Sequence, residues 1–426
     1  MKADFPEDFL WGAATSAHQV EGNNFFNDWW RWEQEGHTSA SGKACDHYHL
    51  FKKDFHLARE LGHNAHRLGI EWSRLEKEEG TWDYKEWEHY KTALDELISH
   101  GIEPIVTLHH FTLPLWLSDK GGWRSDESVD RFSRFALKAI EQLGSRTRYW
   151  ITINEPNILA VLGYFWGKWP PCKKDLPQML LVLRNMLKAH SQAYRIMHLH
   201  SKEHPGIKPP SIGIAKAVTA FHPAHPFSPL DRLYAWSRNR FHNHSFIKSA
   251  IRGKVLIPGL ARERLPWRDS VDFIGLNYYF RQFIRANRTA NSFPFGEVQP
   301  PGEREDTGPV TDMGWEVYPE GLYETVRDMS RYAKPIMITE NGVATADDEL
   351  RCRFIKEHLE QLSNAVAEGY LVIGYIHWSL LDNFEWAEGF SKRFGLVRVD
   401  FSNMEREIKP SGRYLAGIIA TGTISD

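Results

Sequence analysis

The chain has 426 residues, 25% of them charged, with 52 Lys and Arg against 55 Asp and Glu and a net charge of −3. Both signs are interspersed, so nothing in the overall balance calls for nucleic acid or an anionic membrane as partner. Length alone allows two or three domains or one large α/β barrel with insertions, and no run approaches the roughly 18 apolar residues of a membrane span.

Met1 to Phe9 carries acids and no apolar signal core, so no secretion signal is read there. Short apolar strands are then expected at Phe9–Thr15, Ala65–Ile70, Pro104–Leu108, Tyr149–Ile153, Ser211–Ala217, Phe273–Asn277, Pro335–Thr339 and Ile373–His377. Helical patterns separate them. From Asp126 to Leu143, for example, Val129, Phe132, Ala136, Ala139 and Leu143 recur at helical spacing, with Ser125 or Asp126 as cap and Gly144 as stop. A second helix is expected near Gly321 to Tyr332. Eight strands alternating with helices predict a closed (β/α)₈ barrel with extended βα loops at its C-terminal face. Residues 286–311 are rich in Pro, Gly and polar residues and fit either a linker or a long loop at the barrel mouth. The strand and helix signals continue at the same period on both sides, which favours the loop and one domain over 1–426.

Cys45, Cys172 and Cys352 are odd in number and far apart, neither a disulfide framework nor a metal-ligand set. Reduced thiols in a cytoplasmic location are expected. His47, His56, His63 and His66 lack ligand-type neighbours, and no metal or cofactor is expected. The sequons at Asn243 and Asn287 read as chance matches without secretion. Each of the 17 tryptophans suits core packing or the apolar face of a sugar ring, and position has to decide.

Two segments carry the chemistry: Thr152-Ile153-Asn154-Glu155-Pro156 and Ile338-Thr339-Glu340-Asn341-Gly342. Each sets a glutamate directly after an apolar run, where a carboxylate is costly without a task or partner. Either alone could be a structural ion-pair member. Both at strand ends, three barrel positions apart, suggest a pair aimed at one ligand, since a barrel's active site lies at its C-terminal strand ends. Two opposed carboxyls are the minimum for cleaving a glycosidic bond. Arg67 ends another strand and can hold Glu340 ionised, while Glu155, facing that charge, stays protonated.

At this point the sequence resembles glycoside hydrolase family 1, the retaining β-glucosidase and β-galactosidase family, from Phe9-Leu10-Trp11-Gly12 to Pro410-Ser411-Gly412-Arg413-Tyr414. The resemblance implies Glu155 as acid/base and Glu340 as nucleophile. It also implies Gln19 on the outer hydroxyls of the first sugar, His110 on the 3-hydroxyl, Arg67 beside the nucleophile and Asn154 on the 2-hydroxyl. Tyr279 matches the hydrogen-bond partner of the nucleophile, and Asn277 on the same strand end joins the supporting residues. In the stretch from His377 to Phe390, Trp378 matches the ring platform, Glu385 the ligand of the 4- and 6-hydroxyls, and Trp386 that of the 3-hydroxyl. Phe394 lies where the 6-hydroxymethyl pocket is lined. His109 and Tyr278 remain competitors for His110 and Tyr279, since neighbouring strand residues face opposite ways. The tryptophans of Trp29-Trp30-Arg31-Trp32 are expected in packing or at the pocket rim.

One departure is His110-Phe111-Thr112, where many members of that family have His-Trp-Asp. The implied function is a retaining exo-β-glycosidase of β-D-glucosides, with β-D-galactosides or β-D-fucosides beside them. Neutral sugars are expected, because Glu385 would repel a 6-phosphate. A transglycosylase using the same intermediate stays open, and so does a non-catalytic sugar-binding barrel.

Overall fold

The structure, a computed structural model, describes residues 5–287, 296–304 and 306–424. Its strands are β1 Leu10–Ala14, β2 Ala65–Gly69, β3 Glu103–His109, β4 Tyr149–Asn154, β5 Ser211–Pro223, β6 Phe273–Arg285, β7 Glu297–Gln299, β8 Ile336–Asn341 and β9 Val372–His377. All but β7 pair in parallel with their neighbours. Because β9 returns to β1 and β5 pairs with β6, the sheet closes into an eight-stranded barrel. Each of the eight expected strands is present, and helices cross between them, as in a (β/α)₈ barrel. A separate hairpin, β10 Val397–Asp400 and β11 Glu405–Ile408, follows the barrel.

The strands read as nearly continuous apolar runs because both of their faces are covered. One residue from each barrel strand fills the inside: Ala14, Ala65, Ile105, Ile151, Ala215, Phe273, Met337 and Ile376. Alternate residues such as Leu68, Val106, Trp150, Ile214, Ile274, Ile338 and Tyr375 face the helices in the larger outer core. The packed interior forms a floor, so a ligand can enter only at the mouth above it.

Asp126 and Gly144 flank their helix as expected, though not by the expected contacts, and two strands run longer than expected. The helix Glu127–Leu143 has Asp126 at its cap position, but the Asp126 side chain makes no cap bond and instead accepts from Arg184 at 2.9 Å. Gly144 ends that helix in a right-handed conformation, φ −64. A Cβ there would sit 2.5 Å from the Ile140 carbonyl and 2.7 Å from Ile207, so close approach rather than a left-handed turn selects glycine. Finally, β5 and β6 run well past Ala217 and Asn277, still paired from Ala220↔Arg281 to Pro223↔Ile284. Their ends raise one wall of the mouth.

In the segment 286–311, β7 folds back antiparallel on β6 and a short turn follows at Pro301–Glu303. Residues 288–295 and 305, which include part of the Asn287 sequon, lie outside the described residues. Asn243, of the other sequon, is buried and holds Thr219 through its side chain.

Candidate active site

Glu155 follows β4 directly, in a left-handed conformation (φ 45, ψ 57) that a glutamate seldom takes. Its amide donates to the Ala215 carbonyl at 2.7 Å, which ties the turn to β5. Pro156 then opens the helix Pro156–Ala160, whose first amide needs no partner. The chain thus leaves the strand abruptly, with the carboxyl at the mouth. Glu340 lies within β8, in register with Asn277 of β6. Both side chains are buried.

Their surroundings differ. Arg67 of β2 donates to Glu340 Oε1 at 2.5 Å, to the Thr339 carbonyl at 3.0 Å and to Asn154 Oδ1 at 2.7 Å. The Tyr279 hydroxyl donates to Glu340 Oε2 at 2.6 Å. Glu340 therefore has a charge-assisted bond on one oxygen and a phenol on the other. Glu155 accepts at 2.9 Å from Asn277 Nδ2, which also reaches Asn154 Oδ1 at 3.1 Å. Thr339 Oγ1 fixes the orientation of Asn277 by donating to its Oδ1 at 2.7 Å. The two amides and Arg67 thus link both glutamates in one network.

Burial pushes the Glu155 carboxyl up to about 8, and the charge of Glu340 acts in the same direction against Asn277, Lys216 and Arg67. Burial also raises Glu385 to about 8, again with Glu340 adding to it. His110 is held well below the usual histidine range by burial and then by Arg67. A neutral ring can accept from Asn154 Nδ2, 3.0 Å from its Nε2. The site therefore gathers three carboxyl groups of which only Glu340 is bonded to a guanidinium, while burial raises the other two.

The geometry separates the competing neighbours. His109 accepts from the Trp123 indole at 3.2 Å in the outer core, while His110 lines the cleft. Tyr278 donates to the Tyr318 carbonyl at 2.6 Å, away from Glu340, and Tyr279 takes the glutamate. The cleft, about 420 Å³, is lined by His110, Asn154, Glu155, Asn277, Tyr279, Glu340, Trp378, Glu385, Trp386 and Phe394 among others. Arg67 and Gln19 do not line it. Arg67 sits behind Glu340. Gln19 is fully buried, its Nε2 shared among Asn383 Oδ1, the Phe384 carbonyl and Glu385 Oε2 at 2.8–3.1 Å, and its Oε1 accepts from Ser16. Here it orients Glu385.

Trp378 can lie across the cleft because Gly342 passes beneath it: a Cβ on that glycine would stand 1.8 Å from the Trp378 carbonyl. Trp29 packs against Trp386 with ring centres 4.6 Å apart, so the tryptophan-rich start supports the site from behind. Phe111, of the departing His-Phe-Thr motif, packs edge-on against Trp386 at 5.1 Å and Trp169 at 4.9 Å. Sequence reasoning missed Trp315, which lines the cleft and packs tilted against Tyr279 with ring centres 5.4 Å apart. It missed Trp169 and Lys216 as well. Trp315 sits in a loop with no periodic signal, and Lys216 lies inside the expected strand Ser211–Ala217, where a lysine interrupting an apolar run is a signal that sequence reasoning passed over. No group of His, Cys, Asp and Glu among the described residues is arranged to hold a metal.

A closed barrel whose mouth holds two buried glutamates in unlike surroundings, with aromatic rings and polar side chains around them, fits a carbohydrate-cleaving enzyme of the barrel class. The family model of glycosyl hydrolase family 1 matches residues 1–423, and the chain belongs to that family. It is 34% identical to β-glucosidase A of Thermotoga maritima, with 99% of each chain covered. It is 31% identical to a 6-phospho-β-galactosidase of Clostridium acetobutylicum, covering 97% of each. The solved structure of a β-glycosidase from Pyrococcus horikoshii superimposes with a TM-score of 0.92 at 40% identity, over 100% of this chain and 97% of that one. The protein is a retaining β-glycosidase.

Proposed function

We propose that Glu340 is the nucleophile and Glu155 the acid/base of a double displacement at the non-reducing end of β-D-glucosides, within one catalytic domain. The observation that carries this is the asymmetry of the pair. Glu340 accepts from both Arg67 and Tyr279, which suits an ionised group that attacks the anomeric carbon. Glu155 accepts from one neutral amide and is raised to about 8, which suits a proton donor at neutral pH. Attack forms a glycosyl ester on Glu340 as the Glu155 proton passes to the leaving oxygen. The ester carries no charge, the repulsion on Glu155 ends, and its carboxylate then takes a proton from the incoming water.

Around the sugar, Trp378 is the platform. Glu385, held by Gln19, binds the outer hydroxyls, with Trp386 and His110 at the 3-hydroxyl and Asn154 at the 2-hydroxyl. Neutral gluco- and galacto- or fuco-configured sugars fit this set better than 6-phosphorylated ones. The two cations nearest in sequence are occupied: Lys392 donates to the Asp312 carbonyl at 2.7 Å, and Arg393 lies 3.5 Å from Asp382 and donates to the Val399 carbonyl. Faster cleavage of phenyl 6-phosphoglycosides than of the neutral ones would reverse that choice. The exposed free thiol of Cys172 supports a reducing, cytoplasmic location. A 2-fluoro glucoside with a good leaving group, followed by peptide mass mapping, tests the central assignment. The label is expected on Glu340, and a label elsewhere ends it.

A further inference from the structure

The cleft explains the inner residues of the helix Pro229–Asn239 but not its outer ones. On the inner side Asp231, Ala235 and Arg238 are buried, and Arg238 lines the cleft. At 100° per residue, the opposite side centres on Leu233 and Arg240, with Leu230, Trp236 and Arg232 flanking them. Leu230 is 54% exposed, Leu233 52% and Trp236 59%, and Phe227 in the preceding turn is 97% exposed. Surface helices normally turn such residues inward. Here large apolar side chains and arginines share the solvent side, and the Arg240 guanidinium lies 5.4 Å above the Trp236 ring.

The local charge points the same way. From Ala224 to Arg262 the sequence has seven Lys and Arg and a single acid, Asp231, whereas the whole chain has 52 against 55. Asp231 is buried and spent on His225 at 2.7 Å and on the Ala286 amide at 2.9 Å. The whole-chain balance, which argued against an anionic membrane, hides this patch. A second copy paired face to face would set these arginines against their own equivalents, with no acid on the helix face to meet them. Exposed Phe, Leu and Trp with arginines beside them are instead what an interfacial helix offers to a lipid surface, rings and aliphatics among the acyl chains and cations at the headgroups.

We propose that this face, Phe227, Leu230, Leu233 and Trp236 flanked by Arg232 and Arg240, seats the protein on an anionic lipid surface. The same helix lines the catalytic cleft with Arg238, so the lipid would lie about one helix diameter, roughly 10 Å, from where leaving groups sit.

Co-sedimentation of the full chain with vesicles of phosphatidylcholine and phosphatidylserine at about 7:3 tests this. Binding is expected, falling at least about tenfold in phosphatidylcholine alone or at 0.5 M salt. Leu233→Ser with Trp236→Ser, and separately Arg232→Glu with Arg240→Glu, should each lower it at least about tenfold, while turnover of a soluble aryl glucoside stays unchanged. Absence of vesicle binding, or binding that neither pair reduces, overturns the proposal. So does a dimer that Trp236→Ser dissolves without any vesicle binding, since the face would then belong to a second copy.

Discussion

Glu340 and Glu155 occupy the ends of strands in one barrel, and the Asn277–Asn154 amides reach Glu155 directly and Glu340 only through Arg67, yet the two are built in opposite ways. Glu340 is surrounded by donors, a guanidinium at 2.5 Å and a phenol at 2.6 Å. Glu155 is nearly stripped of them and raised by burial. Burial is common to both, so burial does not distinguish nucleophile from acid. The supply of donors does, and it comes from β2 and β6 rather than from the residues next to either glutamate. In the proposed mechanism, two identical side chains thereby divide one reaction.

The strongest way to break this contrast is to remove each carboxyl in turn. Glu340→Ala should lower kcat by at least about 10⁴-fold for every substrate, because no ester can form. Azide should then restore cleavage to an α-configured product, seen by NMR. Glu155→Ala should cost about 10²–10⁴-fold for alkyl glucosides but little in the glycosylation of activated aryl glucosides, with deglycosylation slowed. Equal losses for both leaving-group classes would remove the acid role from Glu155.

A smaller effect is expected from Tyr279→Phe, which deletes one of the donors on Glu340. A hydrogen bond to a charged group is worth about 1.5–3 kcal/mol, so kcat should fall roughly 10–100-fold with Glu155 untouched. The pH profile of kcat/KM sharpens the other half of the comparison. The proposed mechanism needs protonated Glu155, so the alkaline limb should fall near 8, to which burial raises that carboxyl. Lys216, fully buried, with its Nζ donating to the Ala217 carbonyl at 2.8 Å, is itself held well below the usual lysine range by burial, and while charged it acts downward on Glu155. Lys216→Met should move that limb to higher pH, and a limb that stays in place would show that the lysine carries no charge there.

The stability of the folded chain carries the same sign. Glu155 and Glu385 both have raised carboxyls, so their protons are held more tightly in the folded state than in the unfolded one. What they contribute is complete below the ordinary carboxylate range and is lost as pH rises through about 8. Thermal scans should therefore show Tm falling from pH 6 to pH 9, and Glu385→Gln should flatten that slope.

The amino-acid sequence by itself determined the barrel, its eight strands and the two glutamate motifs, because strands covered on both faces read as apolar runs and a carboxylate after such a run stands out. It also indicated part of the cleft wall, since Trp378, Glu385 and Trp386 lie in one continuous stretch. Tertiary structure decided what alternation alone left open: His110 over His109 and Tyr279 over Tyr278, through contacts 14 and 61 residues away. It set Gln19 behind Glu385 and Arg67 behind Glu340, one hydrogen bond back from the cleft. Trp315, Lys216 and the solvent-facing side of the helix Pro229–Asn239 emerged only there. Their significance depends on what stands across from them, and no local pattern records a neighbour distant in the chain.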